Sequence, residues 1–353
     1  MTQQNENRRI DKEQWDQQLA KLAYFEDISG MVAGVGTADQ GLIYSKALGK
    51  KNVETGEEMQ VDDVFHMASV TKLFVGTSVL QLWERGLCDL EEPVISYLPW
   101  LRMGDPRLAQ ITVRQLLSHT SGMPDVRDYG WDRPETDDLA LRRYLESEEV
   151  AQARLLWSPG ESRFAYSNMG YEILGALIAA LSGVSFETYV ERELLKPLGM
   201  KDSTLLTFQR DLSQICAPHV KNQDKQIVLA PHYPYNRAHG PSSTLTTNLG
   251  DMKKWAVAHL NRTLLKESTY EMAWTEQATV PNNGEKICLS WFRREQEGYV
   301  LYGHEGTDDG FRASFWICPE IGYFSHVSAN LSGAPVKKIT RQLFSWYLAS
   351  GSR

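Results

Sequence analysis

The chain predicts an α+β fold built on an antiparallel sheet, and three features of its sequence carry that prediction. Strand patterns gather at 31–48 and again beyond residue 284, and helical patterns fill the span between them. Strands and helices segregated in this way differ from the alternating units of a parallel sheet. A helical pattern also stands near each end, placed to cover one face of the sheet. The expected organisation is a discontinuous sheet lobe, 1–69 and 241–353, a mainly helical lobe, 70–240, and an active-site cleft where they meet.

The elements follow in order. Residues 1–10 read as a polar, disordered lead-in. Trp15, Leu19, Leu22 and Ala23 recur at helical spacing, so 11–25 reads as an amphipathic helix. MVAGVG (31–36) and LIYSKAL (42–48) flank Asp39, Gln40 and Gly41 and read as two antiparallel strands with a tight turn. The run LFVGTSVLQLW (73–83) is apolar on nearly all sides, which predicts a buried helix stopped by Gly86. VRQLL (113–117) starts a short helix running toward Gly122, and 136–150 reads as one exposed helix with Asp137 and Asp138 in its first turn. Asn168–Leu181 is a second apolar helix closed by Gly183, and Ser185–Leu195 a third closed by Pro197. Strands are then expected at 287–292, 299–303, 311–317 and 323–330, before a last helix over Val336–Leu348.

Composition narrows the function. The chain is 42% hydrophobic and 23% charged, which excludes a wholly disordered chain. Its 353 residues bury enough surface to need no disulfide or metal staple. A formal charge of −8 with no basic run argues against nucleic acid as a partner. Cys88, Cys216, Cys288 and Cys318 are scattered singly and read as small core residues. Histidine spacing shows no metal motif, so neither metal nor cofactor is expected. No apolar run approaches ~18 residues and no export signal stands at the start, which gives the expectation of a soluble cytoplasmic protein without a membrane partner. The oligomeric state stays open.

Three short motifs carry chemistry. Ser69-Val70-Thr71-Lys72 stands where an extended segment meets the buried helix, so Ser69 and Lys72 share one face of a first turn. A serine there lies at the positive end of the helix dipole, and a lysine leading into an apolar run loses solvation and becomes a base. The plainer reading is a capping serine and a surface-seeking lysine. Tyr166-Ser167-Asn168 precedes another buried helix, where a phenol can relay a proton and an amide can hold a carbonyl, though a helix cap beside a core tyrosine explains it equally. His304-Glu305-Gly306 closes a strand. There His304 would donate to a carboxylate or to the oxyanion region, and the N–H of Thr307 would complete an oxyanion hole. Glu305 alternates to the other face and is left out of the chemistry.

Taken together, in this order and in these contexts, the motifs resemble those of the penicillin-recognising serine hydrolases, in the branch holding class C β-lactamases, serine esterases, D-aminopeptidases and DD-carboxypeptidases. The resemblance covers about 20–348 and includes ITVRQLLSHTSGMPD, ELLKPLGMKDS and SSTLTTNLGDMKKWAVAHL. It implies a β-lactamase/transpeptidase-like fold, with Ser69 as acylated nucleophile and Lys72 and Tyr166 sharing the base work. Tyr166 would protonate the leaving group, and Asn168 would orient Lys72 or the substrate amide. The N–H groups of Ser69 and Thr307, beside Gly306, would hold the oxyanion. The resemblance makes the Ser-His-Thr-Ser-Gly loop (118–122) mainly architectural.

This sequence departs from class C β-lactamases by carrying His304-Glu305-Gly306 in place of Lys-Thr-Gly. That removes a fixed cation for a substrate carboxylate, and Asp308 and Asp309 would oppose anions if they face the cleft. The expected substrate is therefore a small carboxylic ester or lactone. The alternatives are a β-lactam or D-amino-acid amide, acyl transfer, or a catalytically silent sensor. Tyr129, Trp131, His232, Tyr233 and Tyr235 could wall an acyl pocket, or simply pack long loops.

Overall fold

The computed structural model describes residues 10–351. The lead-in expected over 1–10 therefore lies, but for Ile10, outside the described residues.

One nine-stranded antiparallel sheet organises the chain. In chain order its strands are β1 Gly30–Thr37, β2 Gly41–Asn52, β3 Glu57–Glu58, β4 Ala278–Thr279, β5 Lys286–Ile287, β6 Phe292–Gln296, β7 Tyr299–Asp308, β8 Phe311–Cys318 and β9 Tyr323–Ala329. Their spatial order is β3-β2-β1-β9-β8-β7-β6-β5-β4. The first and last segments of the chain thus meet where β1 pairs with β9, Met31 opposite Ala329 and Gly34 opposite His326. Strand β1 is buried along its whole length, which is why GMVAGVGT reads as continuous apolar and small residues.

There are five longer helices, α1 Lys12–Phe25, α2 Thr71–Glu84, α3 Asn168–Ser182, α4 Leu249–Leu260 and α5 Val336–Ala349, of which α3 packs on α2 and on shorter helices away from the sheet. Asp11 caps α1, its side chain accepting from Gln14 N at 3.0 Å. Helices α1 and α5 cover one face, packing Trp15, Leu19, Ile339, Leu343 and Phe344 on Met31, Val35, Trp316 and Val327. The other face receives α4 and the start of α2 through Leu249, Met252, Trp255, Met67 and Phe74. A Cβ on Gly34 would come within 2.4 Å of Leu249 Cδ1, so the glycine lets α4 lie close on β1. The four cysteines are buried and free.

Four expectations need correction. The apolar run 287–292 is not one strand. Between β5 and β6 the backbone doubles back, with Cys288 N donating to Trp291 O and Ser290 at φ +70°. A buried loop and a buried strand share an apolar signature. The exposed helix over 136–150 is two short helices, Ala140–Leu145 and Glu148–Gln152, because Ser147 caps the second; Asp137 and Asp138 precede both. The helix begun at Val113 ends at Leu117, short of Gly122. Strand β7 does not close at residue 303 but runs on to Asp308, carrying the third motif inside the sheet. Among the described residues no single helix is long and apolar enough to cross a membrane.

Candidate active site

The nucleophile motif sits at a strained corner. Phe65–His66 pairs with Thr246–Thr247, and the chain then enters a 3-10 turn, Ala68–Val70, that runs into α2. Ala68 holds φ +46°, a left-handed conformation that costs a non-glycine residue about 1 kcal/mol. Thr71 locks the corner: its Oγ1 donates to Ala68 O at 2.6 Å and accepts from Leu245 N at 3.0 Å. Ser69 thereby stands at the head of a buried helix with its side chain at the cleft floor.

Lys72 is wholly buried one turn later, and three oxygens surround its Nζ: Ser69 Oγ at 2.8 Å, Asn168 Oδ1 at 2.6 Å and Ser242 O at 2.8 Å. Loss of solvation pulls its pKa down to about 8, although the carboxylates of Glu172, Asp308 and Asp125 all act to raise it. Burial wins over three opposing charges. Two of the three oxygens, the amide of Asn168 and the carbonyl of Ser242, can only accept. In the neutral amine they take both N–H bonds, and the remaining lone pair points at Ser69 Oγ.

Around Lys72 the support is polar and buried. Asn168 lies in the first turn of α3, which Ser167 caps by accepting from Gly170 N at 3.0 Å. Asn168 Nδ2 donates to Asp125 Oδ1 at 3.0 Å, which fixes the amide so that its oxygen faces Lys72. Behind Ser242, the fully buried Glu172 accepts from Ser242 Oγ at 2.6 Å. Tyr166 packs its ring on His119 at 4.3 Å, and Lys72 Nζ lies 5.0 Å from the Tyr166 ring centre. Burial raises the Tyr166 phenol well above its usual range, partly offset by a hydrogen bond with Ser69. His119 itself holds φ +55° and accepts from Ser167 N at 3.1 Å, so the Ser-His-Thr-Ser-Gly loop braces both Tyr166 and the α3 cap.

Strand β7 forms the opposite wall. Gly306 crosses Met67 so closely that a Cβ would come within 2.2 Å of the Met67 carbonyl oxygen. Thr307 follows, exposed at the cleft. His304 is 2% exposed, and burial together with Lys72 pushes its pKa down to about 3. Its Nδ1 lies 2.6 Å from Glu305 O, an acceptor, so the proton sits on Nδ1 and Nε2 bears the lone pair. In that tautomer the other nitrogen of His304 is an acceptor, whereas the motif suggests a donor to a carboxylate or to the oxyanion region. Glu305 faces away from His304, taking Trp316 Nε1–H at 2.8 Å. Glu305 is nonetheless among the residues that line the cleft.

The cleft between these walls has a volume of about 410 Å³. It brings together Ser69, Tyr166, Asn168, His304 and Thr307, with Lys72 beneath them; Asp308 lines it as well, and it adds Asp125 and Ser243, to which the sequence gave no role. Of the aromatic residues expected at its rim, Tyr129 lines it, while Tyr233 is packed on His66 and Phe311, and Tyr235 on Phe208. A second cavity of about 210 Å³, beside Trp100 and Arg237, lies apart from these groups.

Comparison with known proteins agrees with this geometry. The family profile described as Beta-lactamase matches residues 15–344. The chain is 27% identical over 310 residues to Protein flp of Staphylococcus aureus (strain MW2), covering 85% of this chain and 59% of that protein. It is 24% identical over 340 residues to Penicillin-binding protein 4 of Amycolatopsis lactamdurans, covering 91% and 86%. This chain thus spans 59% to 65% of the length of the Staphylococcus relatives. Among solved structures it superposes on the octameric penicillin-binding protein homologue from Pyrococcus abyssi with a TM-score of 0.82 at 23% identity, covering 96% of this chain and 78% of that one. It superposes on D-amino acid amidase from Ochrobactrum anthropi SV3 with a TM-score of 0.80 at 21% identity, covering 97% and 98%. Both likenesses establish the fold.

Proposed function

The chain belongs to the beta-lactamase family, and from that premise we propose that it is a serine hydrolase that works through an acyl-enzyme on Ser69, with small carboxylic esters or lactones as its leading substrates. The observation that carries the reading is the wholly buried Lys72, its Nζ 2.8 Å from Ser69 Oγ and its other two contacts, Asn168 Oδ1 and Ser242 O, both obligate acceptors that leave the neutral amine's lone pair for Ser69. Near its pKa of about 8 the amine is a competent base at neutral pH. Lys72 takes the Ser69 proton as Oγ attacks the carbonyl carbon, and the oxyanion forms against the N–H groups of Ser69 and Thr307. Tyr166, kept protonated by burial, passes its proton to the leaving group and regains one through Lys72. Water then hydrolyses the ester by the same relay in reverse.

Esters lead because the third motif offers no cation. A neutral, proton-accepting His304 gives no anchor to the carboxylate of a β-lactam or a D-alanine terminus. A second reading, hydrolysis of amino-acid amides, is favoured by the acidic residues Asp125 and Asp308 in the cleft and by likeness to a D-amino acid amidase.

The test is labelling and turnover together. A fluorophosphonate should modify Ser69 and leave a Ser69→Ala variant unmarked. p-Nitrophenyl esters of increasing acyl length should turn over, with nitrocefin hydrolysed slowly. An unlabelled wild-type protein sinks the hydrolase reading, and nitrocefin turnover without ester turnover moves the β-lactam reading to the front.

A further inference from the structure

Beside the Thr307 N–H, the β7 wall of the cleft carries two side chains with acceptor atoms, and these set the kind of substrate the wall suits. His304, 2% exposed, presents an Nε2 with no hydrogen-bond partner in the protein. Four residues further along β7, Asp308 borders the same cleft. Its Oδ2 accepts from His66 Nε2 at 2.7 Å and from Ser243 Oγ. His66 is wholly buried and Ser243 nearly so, so the carboxylate is held in one orientation beside the residue that offers the oxyanion N–H. Asp125 borders the cleft from the other side. Among the described residues lining the cleft the one lysine is Lys337, and Glu285 engages it at 2.7 Å.

We propose, on the strength of the serine-hydrolase reading, that Asp308 is a specificity-determining residue that selects acyl groups carrying a protonated amine. Tyr166, the proposed proton donor to the leaving group, lines the cleft together with Phe164 and Phe292, a set that suits an apolar leaving group. Asp308 and Ser243 line the cleft as well, and there an ammonium can donate to the pinned carboxylate. An acyl group with a carboxylate would meet like charge there. The clamp on Asp308 is what makes this selection geometric, since a fixed acceptor loses little side-chain freedom on binding.

Matched methyl esters followed by proton release at neutral pH test this: alanine methyl ester of either hand, methyl isobutyrate, in which a methyl replaces the ammonium, and monomethyl succinate. The wild-type protein should prefer the alanine ester over methyl isobutyrate by about tenfold or more in kcat/KM, with the succinate ester slowest. In Asp308→Asn that preference should shrink by about tenfold, chiefly through a higher KM for the alanine ester. Equal kcat/KM for the alanine and isobutyrate esters in the wild-type protein overturns the proposal, whether or not the variant folds. So does an unchanged ratio in a variant that still reacts with the fluorophosphonate. Failure of every ester, p-nitrophenyl acetate included, together with failure to label, overturns the hydrolase reading itself.

Discussion

Replacing Gly306 by alanine tests whether strand β7 and the nucleophile turn act as one unit. The new Cβ would lie 2.2 Å from Met67 O and 3.2 Å from Ala313 Cβ. Both neighbours are fixed, the first by backbone and the second by strand pairing, so no flexible side chain can yield. Restoring ordinary contact with the carbonyl needs a separation of about 1 Å between β7 and the turn. Met67 lies two residues before Ser69, and Thr307 is the residue after Gly306. The same displacement therefore pulls the Thr307 N–H away from the Ser69 N–H. Loss of one oxyanion donor costs ~3 kcal/mol, about 10²-fold in kcat. Overpacking costs a further ~1–3 kcal/mol of stability, a fall of several degrees in Tm. The assay is steady-state hydrolysis of p-nitrophenyl acetate beside calorimetry. The expected result is a kcat lowered about a hundredfold, a KM within about threefold of wild type, and a modest loss in Tm. A folded variant with wild-type kcat would refute the reasoning, because the oxyanion donors would then not depend on that contact.

Two further predictions concern Lys72. With its pKa brought down to about 8, kcat/KM should rise with pH and level off above about 8, and Lys72→Arg, whose guanidinium stays protonated, should lose at least about a hundredfold in kcat/KM. The stability sign follows from the same depression. Between about 8 and the ordinary 10.5 the unfolded chain holds a proton that the native state has released, so the unfolding free energy should rise with pH across that window, by an amount of order 3 kcal/mol. Urea titrations of wild type and Lys72→Met at several pH values check this, and equal slopes would contradict it. Asn168→Asp would set a carboxylate against Lys72 Nζ, where the amide oxygen now stands at 2.6 Å, and should move the acidic limb of the profile upward by about one pH unit or more; an unmoved limb would show that Lys72 does not report it.

Elements with one strong periodicity were readable in the sequence. Helices α1, α2, α3 and α5 fall within two residues of their expected bounds, because each presents an apolar stripe or an apolar barrel and ends at a cap, a glycine or the chain end. What failed was hydrophobicity without direction. The run 287–292 is apolar because it is buried, and burial is indifferent to whether the backbone there is extended or, as at Ser290, left-handed. The break inside 136–150 did have a signal, Ser147 followed by Glu148 and Glu149, which is a helix start in the middle of a helix pattern. Helix α4 had one too: Asn248 before Leu249, with Asp251 in the first turn.

The same division runs through the site and explains its chemistry. Ser69, Lys72, Tyr166 and Asn168, which the structure brings together, were legible because the proposed nucleophile, base and relay must be particular residue types at local spacings. The groups that set their charge states belong to no local pattern. Ser242 acts on Lys72 through a backbone carbonyl, which any residue supplies. Glu172 lies one helical turn beyond Asn168 and reaches Lys72 only through its field. Asp125 comes from a loop and Asp308 from the last position of β7, and no spacing connects the two. The direction in which His304 accepts or donates rests on one backbone contact, from Nδ1 to Glu305 O, within a strand that runs on through the motif. With its proton on Nδ1, His304 holds an acceptor where the motif alone suggested a donor, and on the same strand Asp308 adds a carboxylate to the cleft, so the two side chains together continue what the missing cation began: a wall that suits donors better than anions.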